Sequence, residues 1–371
     1  MKILIVDTYY PVFLALVYTQ NPELNEWPYQ EQWRFLMAEC FGTANYYSTN
    51  LQQLGHEATE VVANSEPLQR RWGQEHGIRL DGRSGWAVRF RKGWIPWPQR
   101  LPSWFYPVLI AQVKDYRPDV LHVQDMNSIS ASFLREVRPY VGLITSQIAS
   151  FVPRQADFGE YDLILSSFPH FVDRFQQQGL RSTYFNLGFE PGVLQYLKRT
   201  ETYYDVVFVG GLSRSHADRI KFLEQLARQQ PITWWGYGVE NLSSSSPLQA
   251  TYQGVAWALE MYDKLHNARI TLNHHINLAE NYANNMRLYE STGVGSMLLT
   301  DFKDNLHHLF EPGKEIVAYH SVEECAELIQ YYLVHEDERA IIARAGQERT
   351  LREHTYYHRM KEFVEIVRQY L

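Results

Sequence analysis

The run Asn284-Asn285-Met286-Arg287-Leu288-Tyr289-Glu290-Ser291-Thr292-Gly293-Val294-Gly295 has the residue types of an anion site at a helix start. An asparagine at the N-cap opens a short helix, and Gly293 is placed to close it in the left-handed conformation. The free N–H groups and partial positive charge of such a terminus, near Asn285 and Arg287, suit a diphosphate. Glu290, roughly one and a half turns in, has a carboxylate able to accept both hydroxyls of a ribose. The i,i+3 spacing of Arg287 and Glu290 equally describes a surface ion pair on an exposed helix.

A second candidate is Gly210-Gly211-Leu212-Ser213-Arg214-Ser215-His216-Ala217-Asp218-Arg219. A tight glycine loop lets phosphate oxygens approach the backbone, and Arg214, His216 and Arg219 add positive charge. It is not a Walker loop and lacks the full G-x-G-x-x-G, so a plain strand-to-helix turn stays open beside it. The start of the chain, Asp7-Thr8-Tyr9-Tyr10-Pro11, has no glycine cradle. That asymmetry assigns a nucleotide to the second half and an acceptor to the first.

An acceptor hydroxyl needs a general base. Asp125, just past the strand Val120–Val123, is the first choice, because ligands gather outside strand carboxyl ends; Asp7 ends strand one in the same way. Each also reads as a cap or turn residue. His122 alternates with Leu121 and Val123 and reads as a satisfied core histidine. Gln147, His274 and Tyr9 are candidates for sugar or acceptor contacts. His274 and His275 are adjacent on a strand end and point to opposite faces, poor geometry for one metal, so no metal site is expected.

These residues need strands that end in loops and helices that start there. Lys2–Asp7, Glu57–Ala63, Val120–Val123, Val141–Thr145, Leu163–Ser166 and Tyr184–Leu187 read as strands. Helices are predicted from about Gln30 to Leu54, before Pro118, near Ile129–Val137 and at His170–Gln178. The pattern lapses around 190–204 and restarts with Asp205–Val209, followed by strands at Ile232–Trp235, Ile270–Asn273, Ser296–Thr300 and Ile316–Tyr319. The tail from Val322 is helical. Strands alternating with helices mean parallel sheets covered on both faces, and the restart means two similar domains. Expected bounds are 1–190 for the first domain, 204–352 for the second, and 353–371 for a final helix.

One region, about 64–107, breaks the rhythm. It holds Trp72, Trp86, Trp94, Trp97 and Trp104, half of the ten tryptophans, among basic residues. It reads as an insertion or elaborated crossover, with indole faces that either receive a sugar or pack a long loop or subunit contact.

The 371 residues suffice for two domains, and 45% hydrophobic with 21% charged residues is a globular balance. A net charge of −7 gives no bulk attraction to phosphate backbones, so no nucleic-acid partner is expected. Cys40 and Cys325 match no metal or redox spacing. The early Asp7 argues against a signal peptide, and no apolar run reaches the roughly 20 residues of a membrane span. The expected location is cytoplasmic; the oligomeric state is left open.

The segment Glu290–Gly295 resembles the E-A-x-x-x-G segment of GT-B glycosyltransferases. Together with Gln147-Ile148-Ala149-Ser150, Tyr161–Phe168, Tyr252-Gln253-Gly254 and His354-Thr355-Tyr356, it is similar to the CgeB-like (spore-maturation) glycosyltransferases. The resemblance implies an α/β GT-B fold: two Rossmann-like domains facing across a cleft, with a final helix crossing back to the first. It implies that the second domain holds a nucleotide sugar, a UDP-sugar above all, as substrate, with no cofactor. Glu290 then matches the ribose-binding glutamate, Gly295 the glycine ending the segment, and Gly254-Val255 the loop whose backbone reads the base. The retaining relatives' E-x7-E pair would need a glutamate where this chain has Tyr282, with Glu280 out of register. Gln147 stands where many relatives have a histidine.

The expectation is a metal-independent hexosyltransferase moving a sugar from a nucleotide diphosphate to an unidentified acceptor. Its rivals are a GT-B-fold sugar-nucleotide epimerase, which would line the sugar with several carboxylates, and a non-catalytic sugar-nucleotide-binding protein.

Overall fold

The computed structural model describes residues 1–79, 85–91, 95–152, 158–200, 204–213 and 216–371, with 85–91 and 95–101 described by backbone alone. The chain divides into two compact units, one of Met1–Phe185 with Met360–Leu371 and one of Asn186–Arg359.

The first unit begins with β1 (Lys2–Asp7), α1 (Pro11–Gln20), α2 (Tyr29–Ala38), α3 (Tyr46–Gln53), β2 (Glu57–Val62) and α4 (Glu66–Glu75). It continues with β3 (Gly85–Arg91), β4 (Ile95–Leu101), α5 (Phe105–Tyr116), β5 (Val120–Val123), α6 (Ala131–Val137), β6 (Leu143–Gln147), β7 (Leu163–Ser166), α7 (Pro169–Gln177) and β8 (Ser182–Tyr184). The sheet is parallel in the order β2-β1-β5-β6-β7-β8. Its central strands β5, β6 and β7 are buried throughout, as apolar strands covered on both faces must be.

The second unit holds β9 (Tyr204–Val209), α8 (Ala217–Ala227), β10 (Thr233–Trp235), α9 (Ala258–His266), β11 (Ala268–Asn273), α10 (Met286–Gly293) and β12 (Met297–Asp301). After them come α11 (Leu306–Leu309), β13 (Val317–Tyr319), α12 (Val322–Val334), α13 (Glu336–Glu353) and α14 (Tyr356–Arg368). Its sheet is also parallel, in the order β10-β9-β11-β12-β13. Ile270, Leu272, Met297 and Leu299 meet Leu223 and Leu226 of α8 and Ile329 of α12 in its core. Each sheet has a switch point where the connections reverse direction, beside β1 in the first and beside β9 in the second. Ligands of open α/β sheets gather at the strand carboxyl ends there.

Several local expectations are corrected. The helix predicted from Gln30 to Leu54 is broken into α2 and α3, because Cys40, Gly42 and Ala44 all adopt positive φ, which no helix continues through. The strand predicted at Tyr184–Leu187 pairs two residues earlier, at Ser182–Tyr184, and the fully buried Phe185 just past it gives its N–H to the Ser166 carbonyl of β7 at 2.9 Å. The region 64–107 contains α4, the antiparallel hairpin β3–β4 and the start of α5. Trp72 and Trp104 are core residues at 7% and 2% exposure. Trp94 lies outside the described residues, as do the side chains of Trp86 and Trp97. The residues from Met360 onward belong to the first unit, where Phe363 packs on His122 at 5.0 Å and on Phe185 at 6.2 Å between ring centroids. Among the described residues no helix is long and apolar enough to cross a membrane.

Candidate functional site

At the switch point of the second sheet, β9 ends at Val209 and runs into Gly210-Gly211. Two guanidinium groups close on this loop. Arg219, in the first turn of α8, donates Nε–H to the His274 carbonyl at 3.0 Å and an Nη–H to the Gly211 carbonyl at 3.3 Å. Arg287, in the first turn of α10, donates to the Val209 carbonyl at 3.2 Å and pairs with Glu290 at 2.8 Å. The two cations are near enough to oppose each other: burial first, and then Arg287, bring Arg219 down to about 10. Positive charge gathered at a glycine loop between a strand and a helix is an arrangement that a diphosphate satisfies.

Helix α10 starts as the sequence predicts. Asn285 is its N-cap and accepts from the Leu288 N–H at 3.3 Å, while its amide donates to Asn273 Oδ1 at 2.8 Å. The cap is thereby tied to the end of β11. Arg287 Nε and Asn284 Nδ2 are buried with no hydrogen-bond partner among the described residues. Buried donors are nearly always satisfied, so two orphans at one helix start mark a place for an acceptor-rich ligand.

Glu290 is 4% exposed. Its carboxylate takes Arg287 and a hydrogen bond from Tyr262, and burial raises its pKa against both. The ion pair is therefore real but lies in the interior, not on an exposed helix face. A carboxylate has about four acceptor positions, so these partners leave capacity for ribose hydroxyls. The left-handed residue is Gly295, at φ +83°, and not Gly293. Gly293 is helical, and a Cβ there would come within 2.5 Å of the Phe189 ring.

His216 caps α8, and its Nδ1 accepts from the Ser213 N–H at 3.2 Å; burial lowers its pKa, and Arg219 adds to the effect. It closes the loop as a neutral ring. Arg214 and the Ser215 of the expected capping box lie outside the described residues. His274 stacks on Phe222 at 4.3 Å, and burial brings it down to about 4. Tyr319 donates its hydroxyl to the Asn273 carbonyl at 2.9 Å, so it accepts from His274 Nδ1–H at 3.0 Å. The Gly254 carbonyl accepts from the Gly236 N–H at 2.9 Å, and Val255 beside it is 38% exposed.

In the first unit Asp7 and Asp125 stand together at the carboxyl ends of the neighbouring strands β1 and β5. Asp7 accepts from the Thr8 N–H at 2.7 Å, and Asp125 from the Thr8 hydroxyl at 2.6 Å and from the Ser128 hydroxyl. Burial, reinforced by Asp125, pushes Asp7 up to about 7. A carboxylate poised there can accept a proton near neutrality.

Residues 215–365 match the family model described as glycosyl transferase-like. No curated protein sequence matches the chain. Among solved structures, Anabaena HepE in complex with UDP is similar at a TM-score of 0.57 and 12% identity, covering 100% of both chains. Sucrose-phosphate synthase from Thermosynechococcus elongatus gives 0.58 and 10%, covering 100% of this chain and 99% of that one. A glycosyltransferase from Rickettsia africae gives 0.54 and 10%, over 99% and 98%. This is a GT-B fold.

Three of the residues singled out in the GT-B sequence are interior. Tyr9 is 2% exposed and directs its hydroxyl to Met37 Sδ at 3.9 Å. Gln147 is 8% exposed and accepts from the Tyr47 hydroxyl at 2.7 Å. His122 is fully buried on Thr145 at 2.9 Å, and burial lowers it to about 3, so it is a neutral core ring, although its Nε2 has no partner among the described residues. Among the described residues no three His, Cys, Asp or Glu side chains are grouped to hold a metal ion.

Some buried charged groups near these loops were not among the binding or catalytic candidates read from the sequence. His275 gives Asp301 both its backbone N–H, at 2.9 Å, and Nδ1–H, at 2.7 Å. Burial opposes the Asp301 charge, but His275, His274 and Lys303 outweigh it and hold this carboxyl below the usual range. Glu60 is 2% exposed and accepts from the Ser48 N–H in the first turn of α3 at 2.7 Å, capping that helix from the adjoining strand β2; burial pushes it up to about 7. Gly236 and Gly238, in Trp234-Trp235-Gly236-Tyr237-Gly238, let the β10 loop lie on the β9 loop. A Cβ at Gly236 would sit 2.0 Å from the Gly210 carbonyl oxygen. Gly236→Ala is expected to destabilise the protein by roughly 2–4 kcal/mol. Urea unfolding of the variant beside the wild type checks it.

Proposed function

We propose that the chain is a glycosyltransferase that takes its sugar from a nucleotide diphosphate, a UDP-sugar, and passes it to an acceptor hydroxyl. The observation carrying this reading is the convergence of Arg219 and Arg287 on the Gly210-Gly211 loop at the switch point of the second sheet. That arrangement puts fixed positive charge where a departing diphosphate gains charge, and preorganised electrostatics of this kind is commonly the largest catalytic term. HepE has been solved with UDP, with UDP-glucose, and with UDP and glucose, which supports the donor class. The likeness to the CgeB-like family and a hexose as the transferred sugar belong to the same proposal.

In this reading Glu290 and Asn285 belong to the nucleoside end, with the Gly254-Val255 backbone beside the base. Asp7 takes the acceptor proton, its pKa of about 7 matching the task, and Asp125 holds Thr8 and orients the pair. The roles of metal and cofactor are proposed as none, the diphosphate being handled by the arginines.

Thermal-shift titration with UDP-, GDP-, TDP- and CMP-sugars tests the donor reading. A UDP-sugar at 100 times its dissociation constant should add about 2.7 kcal/mol of stability, and Arg219→Ala should remove most of that response. No stabilisation by any of the four would sink it. Product analysis with donor alone separates transfer from epimerisation, because an epimerase converts the donor without an acceptor.

A further inference from the structure

We propose that the second unit carries an additional binding site, for a small phosphate-bearing molecule, at the end of its sheet opposite the Gly210-Gly211 loop. A cavity of about 370 Å³ opens there, lined among others by Arg199, Arg269, Arg339, Arg344, His266 and Gln347. Its volume is within the range of small-ligand sites. It lies beside Ala268 and Arg269, the first residues of β11, and Gly295, which precedes β12. A six-residue strand, roughly 20 Å long, separates it from the candidate diphosphate loop.

The charge of the lining is one-sided in a chain of net charge −7. Four guanidinium groups arrive from three parts of the unit: Arg199 from the connection before β9, Arg269 from β11, and Arg339 and Arg344 from α13. The one carboxylate in the lining, Glu336, is 3.3 Å from Arg339. Arg269 pairs with Asp205 at 2.8 Å. Arg199 and Arg344 are exposed and have no partner among the described residues.

Complementing the carbonyl end of α10 does not explain the cluster. Those carbonyls are already met by His266 Nδ1–H, which donates to Val294 at 2.7 Å, and by Gln347, which donates to Gly293 at 2.9 Å. Neither contact uses a guanidinium. Planar guanidinium groups approaching from several sides favour phosphate oxygens over single-point anions.

The cavity also touches the helix that carries Glu290, through Gly295 and the Gln347–Gly293 bond. An effect of its occupant on donor affinity would rest on the donor reading above; binding itself does not.

Sodium pyrophosphate and glucose 6-phosphate are the probes, titrated into the full chain by calorimetry and thermal melting against KCl at matched ionic strength. The comparison is with the Arg199→Gln/Arg344→Gln double variant and with Arg344→Glu alone, both at exposed positions. Saturable binding of at least one probe by the wild type is expected, weakened tenfold or more in the variants. The UDP response, where present, should be equal in all three proteins. A response to glucose 6-phosphate alone supports a sugar phosphate, and one to pyrophosphate alone supports a bare diphosphate. Unchanged probe affinity in the variants would overturn the proposal, because the probes would then bind somewhere other than this cavity. A shift reproduced by KCl would overturn it too. Probe binding lost in the variants of a protein that ignores UDP would uphold this site and defeat the donor reading.

Discussion

Asp7→Asn should make the protein more stable at pH 8 while reducing sugar transfer by roughly 10²–10⁴-fold. Asparagine keeps an oxygen to accept from the Thr8 N–H, so the loop is preserved. The ionised carboxylate is the costly state, because burial and Asp125 raise Asp7 to about 7 from an ordinary value near 3.8. The folded state holds this proton more tightly than the unfolded chain does. Stability from Asp7 is therefore complete below the unfolded pKa and declines as pH rises, until it is lost above about 7. Removing the charge should recover roughly 2–4 kcal/mol at pH 8, less at pH 5, with solvent near the half-buried group keeping it toward the lower figure. Glu60, also raised to about 7 and interacting with Asp7, titrates with it, so the apparent midpoint belongs to the group. Melting curves at pH 5 and pH 8 supply the test. A stability gain independent of pH would contradict the assignment of the raised pKa, and full activity in the variant would remove Asp7 as the base.

Glu290→Ala is the second large effect. It leaves the Arg287 guanidinium buried without its carboxylate, and breaking a buried pair on one side costs about 3–5 kcal/mol. Affinity for the UDP-sugar should fall at least 100-fold. Because an unstable variant loses ligand for trivial reasons, Glu290→Gln is the informative companion. It keeps the shape and can still accept from Tyr262, so its melting temperature should fall less. Loss of donor affinity in the glutamine variant, measured by calorimetry below its melting range, supports contact with ribose. Wild-type affinity there would reduce Glu290 to a core ion pair.

Much of the fold was legible because central parallel strands are short apolar runs, and Val120–Val123, Leu163–Ser166 and Val206–Val209 cannot be hidden in sequence. The break between α2 and α3 was not, since Cys40 and Ala44 are not residues that advertise positive φ. Helix α1 was also missed: its apolar residues surround the helix, leaving Val12 68% exposed, so no amphipathic stripe announces it. In the site, the Asn285 cap and the Arg287–Glu290 pair follow from local spacing. What local spacing could not supply was depth: nothing within α10 says that Phe189 lies on Gly293 or that Tyr262 reaches Glu290. The need for glycine at 236 arises from a carbonyl 26 positions earlier in the chain, at Gly210. The run Trp-Trp-Gly-Tyr-Gly, which ends a strand and opens its loop, was the available signal.

The first unit is discontinuous: Phe363 fits against His122 and Phe185, and Arg181 lies over the Tyr370 ring. Synthesis from the N-terminus therefore makes the sheet β2-β1-β5-β6-β7-β8 long before the segment that completes its core. While the ribosome translates the second unit, the first must wait with an apolar surface uncovered. A nascent chain stalled before Met360 should engage chaperones and resist proteases poorly, whereas the second unit, contiguous from Asn186 to Arg359, has no such delay.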